Sequence, residues 1–239
     1  MRHFPSTIAI SIALAAAGWA VPAAAQDAPA ATDDAGLGEI IVTAQRREQN
    51  IQDIPLSVDV VSGAKLDAIN SGGGDIRALA GRVPSLNIES SFGRTFPRFY
   101  IRGLGNTDFD LNASQPVSLV YDDVVLENPI LKGFPIFDLD RVEVLRGPQG
   151  TLFGRNTPAG IVKFDTVKPG KTGGYARASY GRYGTSQVEV AAGAADDNGF
   201  SVRLSTLFQH RDDWVDNIAT TQKKDLGGYD DIAARLQLQ

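Results

Sequence analysis

The chain has 239 residues and a formal charge of −5, from 23 lysines and arginines against 28 aspartates and glutamates, with two histidines and no cysteine. That balance gives a phosphate backbone little to hold, so no nucleic-acid partner is expected. Disulfides, thiolate nucleophiles and cysteine-ligated metals are ruled out, and His3 and His210 are too few for a multi-histidine metal centre.

The chain opens with Arg2, an apolar run over residues 8–20 broken only by Ser11 and Gly18, then Pro22 and the small triplet Ala23, Ala24, Ala25. This order predicts a secretory signal over residues 1–25, cleaved before Gln26, because the run falls short of the ~20 residues that span a bilayer. No later stretch reaches transmembrane-helix length. Residues 26–38 are small and acidic and predict a flexible linker, and the domain division places that linker over 26–50. Inside it, EIIVTA over residues 39–44 is an abrupt β-branched run. Such a run is either a strand offered to another protein's sheet or the first strand of the next domain.

Residues 54–168 read as a compact α+β unit. A strand is expected at 58–61, then Ser62 as N-cap of a helix over 65–69, a break at the glycines 72–74, and Asp75 capping a second helix over 76–81. Further strands are expected at 86–88, 98–102, 117–125, 141–145 and 160–164, between Gly, Asn, Asp and Pro turns.

Beyond Pro169 the pattern becomes strict alternation. Val202, Leu204, Thr206 and Phe208 oppose Ser201, Arg203, Ser205 and Gln209, with Leu207 as the exception. Similar alternation runs through 176–180, 188–194 and 231–239, with Tyr and Phe near several ends. A tight turn at 196–199 contrasts with a long polar loop over 210–228. This pattern fits strands of an outer-membrane barrel and equally a soluble antiparallel sheet with one wet face; periodicity alone leaves both open.

Several motifs fail chemically. Asp108, Asp110 and Asn112 have calcium-loop spacing, but Ala113 stands where glycine is needed and Leu119 where a bidentate glutamate is needed. Gly103-Leu-Gly105 lacks its third glycine, and GPQG at 147–150 lacks the lysine of a phosphate loop. His210 beside Asp212 and Asp213 has no converging nucleophile, so no enzyme, cofactor or metal is expected.

Residues 141–161, RVEVLRGPQGTLFGRNTPAGI, resemble the hallmark stretch of the plug domain of TonB-dependent outer-membrane receptors. Supporting segments arrive in that family's order: EIIVTA resembles a TonB box, FYIRG at 99–103 the internal strand, and VSLVYDD at 117–123 the strand with its acidic turn. The resemblance implies an α+β plug domain over 51–169, followed over 170–239 by the first strands of an antiparallel transmembrane β-barrel, and it favours the barrel over the soluble sheet. It implies uptake of a scarce solute, most often a ferric siderophore, energised by TonB with ExbB and ExbD, in contact with outer-membrane lipid.

The same resemblance sets the site expectations. Glu39, Ile40, Ile41, Val42, Thr43 and Ala44 are the expected partner-binding box. Arg102 and Arg146 are expected to lock the plug against acidic residues of the barrel wall. Arg94 and Arg98, with Phe96 and Phe109 able to stack, are expected to meet an anionic ligand on loops 92–98 and 106–115, with 127–134 as a third outward loop. A plugged barrel of about 22 strands needs on the order of 200 residues, so residues 170–239 suffice for only four, and an N-terminal fragment unable to transport alone is expected. The rival expectations are a secreted or periplasmic binding module and a surface adhesin or signalling receptor.

Overall fold

The computed structural model describes residues 40–239 except 45, 109, 111, 171, 220 and 221, and of residues 222–225 the backbone alone; the expected signal peptide, Glu39 and Phe109 lie outside the described residues.

The plug is built on one five-stranded sheet. Its strands are β3 (Ser57–Ser62), β6 (Val117–Tyr121), β7 (Val124–Leu126), β8 (Leu139–Arg146) and β9 (Gly160–Thr166), in the order β3-β8-β9-β6-β7. Only β6 and β9 run parallel. One face, carrying Val142, Val144, Val162 and Phe164, packs against helix α1 (Gly63–Asn70), the 3₁₀ turn Ile76–Leu79 and the hairpin of β4 (Leu86–Glu89) and β5 (Arg98–Ile101). The opposite face carries Leu145 and Ile161 beside Arg141, Glu143, Lys163 and Asp165. It is covered by the chain entering from the N-terminal side, where β1 (Ile41–Val42) pairs with β2 (Gln49–Asn50). All seven residues of β9 are buried, as expected of a strand covered on both faces. Gly160 permits this closeness: it sits at φ +143°, and a Cβ there would stand 2.2 Å from the Leu145 carbonyl.

Three local expectations are corrected. The strand foreseen over 117–125 is a hairpin, because Asp122 and Asp123 both adopt positive φ and turn the chain between β6 and β7. The helix foreseen over 76–81 is a single 3₁₀ turn, with Asp75 accepting from the Arg77 amide as a cap should. Ser62 precedes α1 but makes no side-chain cap bond.

The wall sheet comprises β10 (Gly173–Tyr180), β11 (Ser186–Ala195), β12 (Ser201–Arg211) and β15 (Tyr229–Leu238), antiparallel and in that order. Between β12 and β15 the long polar loop contains its own hairpin, β13 (Val215–Asn217) with β14 (Gln222–Leu226), which alternation had not revealed. Register aligns Ala178, Val188, Phe208 and Ile232 in one row and Ala176, Val190, Thr206 and Ala234 in the next. These rows point away from the plug, while Gln187, Glu189, Ser205 and Gln209 point into it. Ile232 is 82% exposed and Leu236 62%, whereas Glu189 is 1% exposed and Ser205 and Gln209 are fully covered. A wet-faced soluble sheet has the reverse arrangement. Leu207, the exception to alternation, lies on the plug side and is buried there.

Candidate functional site

The expected box is seated on the plug. Val42 and Ala44 are fully buried among Val120, Leu145, Phe153 and Ile161, while Ile40 stays exposed. Thr43 lies between them over the charged half of the sheet. Its amide donates to Glu143 Oε1 (2.7 Å), and its hydroxyl accepts from Lys163 Nζ (2.6 Å) and stands 3.1 Å from both Glu143 Oε1 and Asp165 Oδ2. Arg141 donates to the Ile41 carbonyl (3.1 Å). Cross-strand register sets Glu143 opposite Lys163 and Arg141 opposite Asp165, so the four charges compensate in pairs. Burial raises the Glu143 carboxyl above its ordinary value, with the Thr43 amide and the Lys163 charge opposing that shift.

The plug meets the wall chiefly at one residue, Asp138, just before β8. Its carboxylate accepts from Arg203 (Nε 2.9 Å, Nη2 2.5 Å), from Arg235 Nη2 (3.1 Å), from Tyr175 (3.2 Å) and from the Ser205 hydroxyl. Its amide donates to Glu189 Oε1 (2.9 Å), so all four wall strands converge on it. Asp138 also adopts φ +48°, a conformation that aspartate tolerates better than most side chains. Burial pushes its carboxyl up, but the bonds from Arg203 and Ser205 and the two arginine charges outweigh this and hold it below its ordinary value.

A second seam lies toward the other end of the wall strands. Arg94 Nη2 pairs with Asp231 (2.7 Å) and reaches Gln209 (3.2 Å), with its guanidinium 3.9 Å from the Tyr229 ring centroid. The Tyr229 hydroxyl donates to the Gly73 carbonyl (2.8 Å), and the Gly73 amide donates to Gln187 (3.2 Å). Gly73 sits at φ +65°, and a Cβ there would lie 2.5 Å from the Tyr229 hydroxyl. Around this seam is a cavity of about 500 Å³ bordered by Gly72, Gly73, Arg77, Arg94, Arg211 and Tyr229.

Among the described residues, no hydrogen bond or ion pair joins the Arg102 or Arg146 side chain to the four wall strands. Arg102 is exposed, and its amide bonds the Ser85 carbonyl. Arg146 turns back into the plug, to Asp59, the Ser57 hydroxyl (3.1 Å) and the Pro84 carbonyl (2.8 Å), because β3 runs alongside and brings those groups within reach. At Asp138 the carboxylate is on the plug and the arginines are on the wall, whereas at the second seam the plug supplies the arginine and the wall the carboxylate. Arg94, expected to meet ligand, is held by Asp231. Arg98 stays on its own hairpin, 3.3 Å from Glu89 and bonded to Ser91, and half-buried Phe96 packs edge-on against Phe92 at 5.9 Å. Sequence reasoning missed Asp138, Glu189, Arg203 and Arg235; alternation put the last three on the polar side of their strands, and nothing marked Asp138.

Comparison with known proteins agrees with this architecture. Residues 50–161 match the TonB-dependent receptor plug domain. The pesticin receptor of Yersinia pestis is 27% identical over 216 residues, which is 90% of this chain and 31% of that protein. The vitamin B12 transporter of Photobacterium profundum is 24% identical over 184 residues, covering 74% of this chain and 29% of that one. The crystal structure of the ferric yersiniabactin uptake receptor of Yersinia pestis superposes with a TM-score of 0.66 at 27% identity, over 77% of this chain and 28% of that one. A pyoverdine-bound receptor of Pseudomonas aeruginosa shares the fold, with a TM-score of 0.60 at 19% identity over 74% of this chain and 23% of that one. The chain thus spans about three tenths of the length of these relatives. With a plug of this sequence and topology fastened to antiparallel strands whose apolar side faces outward, the chain belongs to the TonB-dependent receptors of the outer membrane.

Proposed function

We propose that the chain serves TonB-dependent active uptake of a scarce solute across the outer membrane, with a ferric siderophore as the favoured cargo. In this reading the plug gates the pore, and residues 39–44 couple it to TonB, energised through ExbB and ExbD. Receptors for ferric yersiniabactin and pyoverdine among the similar structures support the cargo class, and the vitamin B12 transporter among the relatives marks the rival. The family is one of transport receptors.

The observation that carries this reading is that the box and the cavity stand at opposite ends of the wall. Thr43 touches Asp165, whose neighbour Thr166 bonds Gln237 (2.8 Å) near the end of β15 that adjoins the short 196–199 turn. The cavity adjoins Tyr229 and Arg211, where the long loop departs. Solute and energising partner can then act from different sides of one membrane. Strand addition by the box needs extended geometry and free backbone donors, so Ile41→Pro in the receptor should leave solute binding intact and abolish uptake. Uptake equal to wild type would remove residues 39–44 from the coupling role.

A further inference from the structure

Two loops meet beside the cavity, where Arg211 borders a pair of stacked aromatic rings. The turn between β10 and β11 presents Tyr183, and the start of the long loop presents Trp214; their rings stack at 5.3 Å with an interplanar angle of 27°. The Arg211 guanidinium lies 5.2 Å from the Tyr183 centroid and 5.4 Å from that of Trp214. The group is braced from several directions. The Asp212 amide bonds the Tyr183 carbonyl (2.9 Å), the Trp214 amide bonds the Leu226 carbonyl (3.0 Å), and Gly227, at φ +97°, leaves room for the indole where a Cβ would stand 2.5 Å from Nε1. Tyr183 itself is held at φ +61°, unusual for an aromatic residue.

Arg211 differs from the other cations of the cavity. Arg77 is paired with Asp75 and Arg94 with Asp231. Arg211 makes no ion pair among the described residues, and its Nε is buried without a hydrogen-bond partner. A buried donor left unmade is unfavourable unless something supplies the acceptor. A guanidinium that approaches aromatic rings keeps its N–H edge available for a planar oxyanion. Both rings remain partly open, Trp214 at 44% and Tyr183 at 36% exposure.

We propose that Arg211, Tyr183 and Trp214 form a subsite for an aryl oxyanion of the benzoate, phenolate or catecholate kind. Arg211 would take the charged oxygens while the ring lies along Tyr183 and Trp214, at the mouth of the cavity. That this group belongs to the transported solute rests on the proposed uptake function; the binding itself does not.

Trp214 allows a direct test. The part of the fluorescence signal that a Trp214→Phe variant loses belongs to this residue, so the difference between the two proteins reports from Trp214. The purified protein in detergent is titrated with benzoate, with cyclohexanecarboxylate, which keeps the charge and lacks the ring, and with benzyl alcohol, which keeps the ring and lacks the charge. Saturable quenching is expected with benzoate, about fivefold tighter than cyclohexanecarboxylate and about tenfold or more tighter than benzyl alcohol. Arg211→Gln should weaken benzoate about tenfold or more, and Arg211→Lys, which keeps the charge but loses the flat fork, should weaken it less. Equal affinity for benzoate and cyclohexanecarboxylate, wild-type affinity in both Arg211 variants, or no saturable quenching in the unaltered protein would each overturn the subsite. No energising partner takes part in this assay, so Ile41→Pro should bind benzoate normally, and the outcome is independent of the uptake experiment.

Discussion

In the plug, Val142, Val144, Val162 and Phe164 turn inward to a shared core and all are fully covered. In the wall, Val188, Leu204, Ile232 and Leu236 turn away from the plug and are between 46% and 82% exposed. Both regions alternate side chains across a sheet, yet one hides its apolar face and the other hides its polar one. The difference identifies the solvent of each surface. A sheet that buries Glu189, Arg203, Ser205 and Gln209 while presenting valine, leucine and isoleucine is arranged for hydrocarbon outside and a polar interior. The junction between the two regions must then be polar, as Asp138 makes it.

The largest expected effect comes from breaking that junction. Asp138→Ala strands Arg203 and Arg235 without their carboxylate and should loosen the plug from the wall by about 3–5 kcal/mol, read as a lower urea midpoint and faster proteolysis of the plug. Asp138→Asn keeps a side chain that tolerates positive φ and should be the milder of the two; equal losses would argue that backbone conformation contributes little. Next comes the outward face. Leu204→Lys should cost about 2–4 kcal/mol for folding into a bilayer, because the charge meets lipid. A soluble sheet would register less than about 0.5 kcal/mol for the same exposed change, so that result would break the contrast between plug and wall. At the second seam, Gly73→Ala introduces a Cβ at positive φ against the Tyr229 hydroxyl and should cost about 1–3 kcal/mol in thermal or urea stability. Tyr229→Phe, which deletes only one hydrogen bond, should cost about 1 kcal/mol.

The smallest effect is in pH dependence, where the two charged junctions should respond oppositely. Glu143 has its carboxyl raised by burial, so the folded protein holds that proton more tightly than the unfolded chain does. Its contribution is therefore greatest below the ordinary value of 4.5 and is lost as pH rises through the raised folded value. Asp138 has its carboxyl lowered, so its contribution is present above the ordinary value of 3.8 and is lost as pH falls through the lowered one. Glu143→Gln should flatten the upper slope of a urea midpoint plotted against pH while leaving the acid limb unchanged. A Glu143→Gln profile that parallels wild type would remove this residue from the titration.

Much of the wall was legible because a period of two needs no knowledge of partners. The faces of β12 and β15 could be separated by their alternation alone, and even Leu207 was visible as an exception, though only contact with the plug explains why it is there. Direction was not legible, since alternation does not say which face is wet. Most plug strands could be placed from their turns. Asp122 and Asp123 in left-handed conformations, however, divide a run that reads as one strand. Site residues fared worse where partners lie far along the chain. Asp138 sits in an ordinary Phe-Asp-Leu-Asp run, and its partners follow 37 to 97 residues later. Arg94 reads as a cation on a loop, but Asp231 lies 137 residues away, and no local pattern ties them.

The floor beneath Thr43 carries a consequence for repeated use. An aliphatic floor would become an oily patch whenever the segment above it lifted, inviting collapse or association with a neighbour. Glu143 with Lys163 and Arg141 with Asp165 already neutralise each other across the strands, so this half of the sheet can take up water when it is uncovered and give it back when it is covered. In the proposed coupling, the threonine would lift away from this surface and settle on it again without an oily patch being left beneath it.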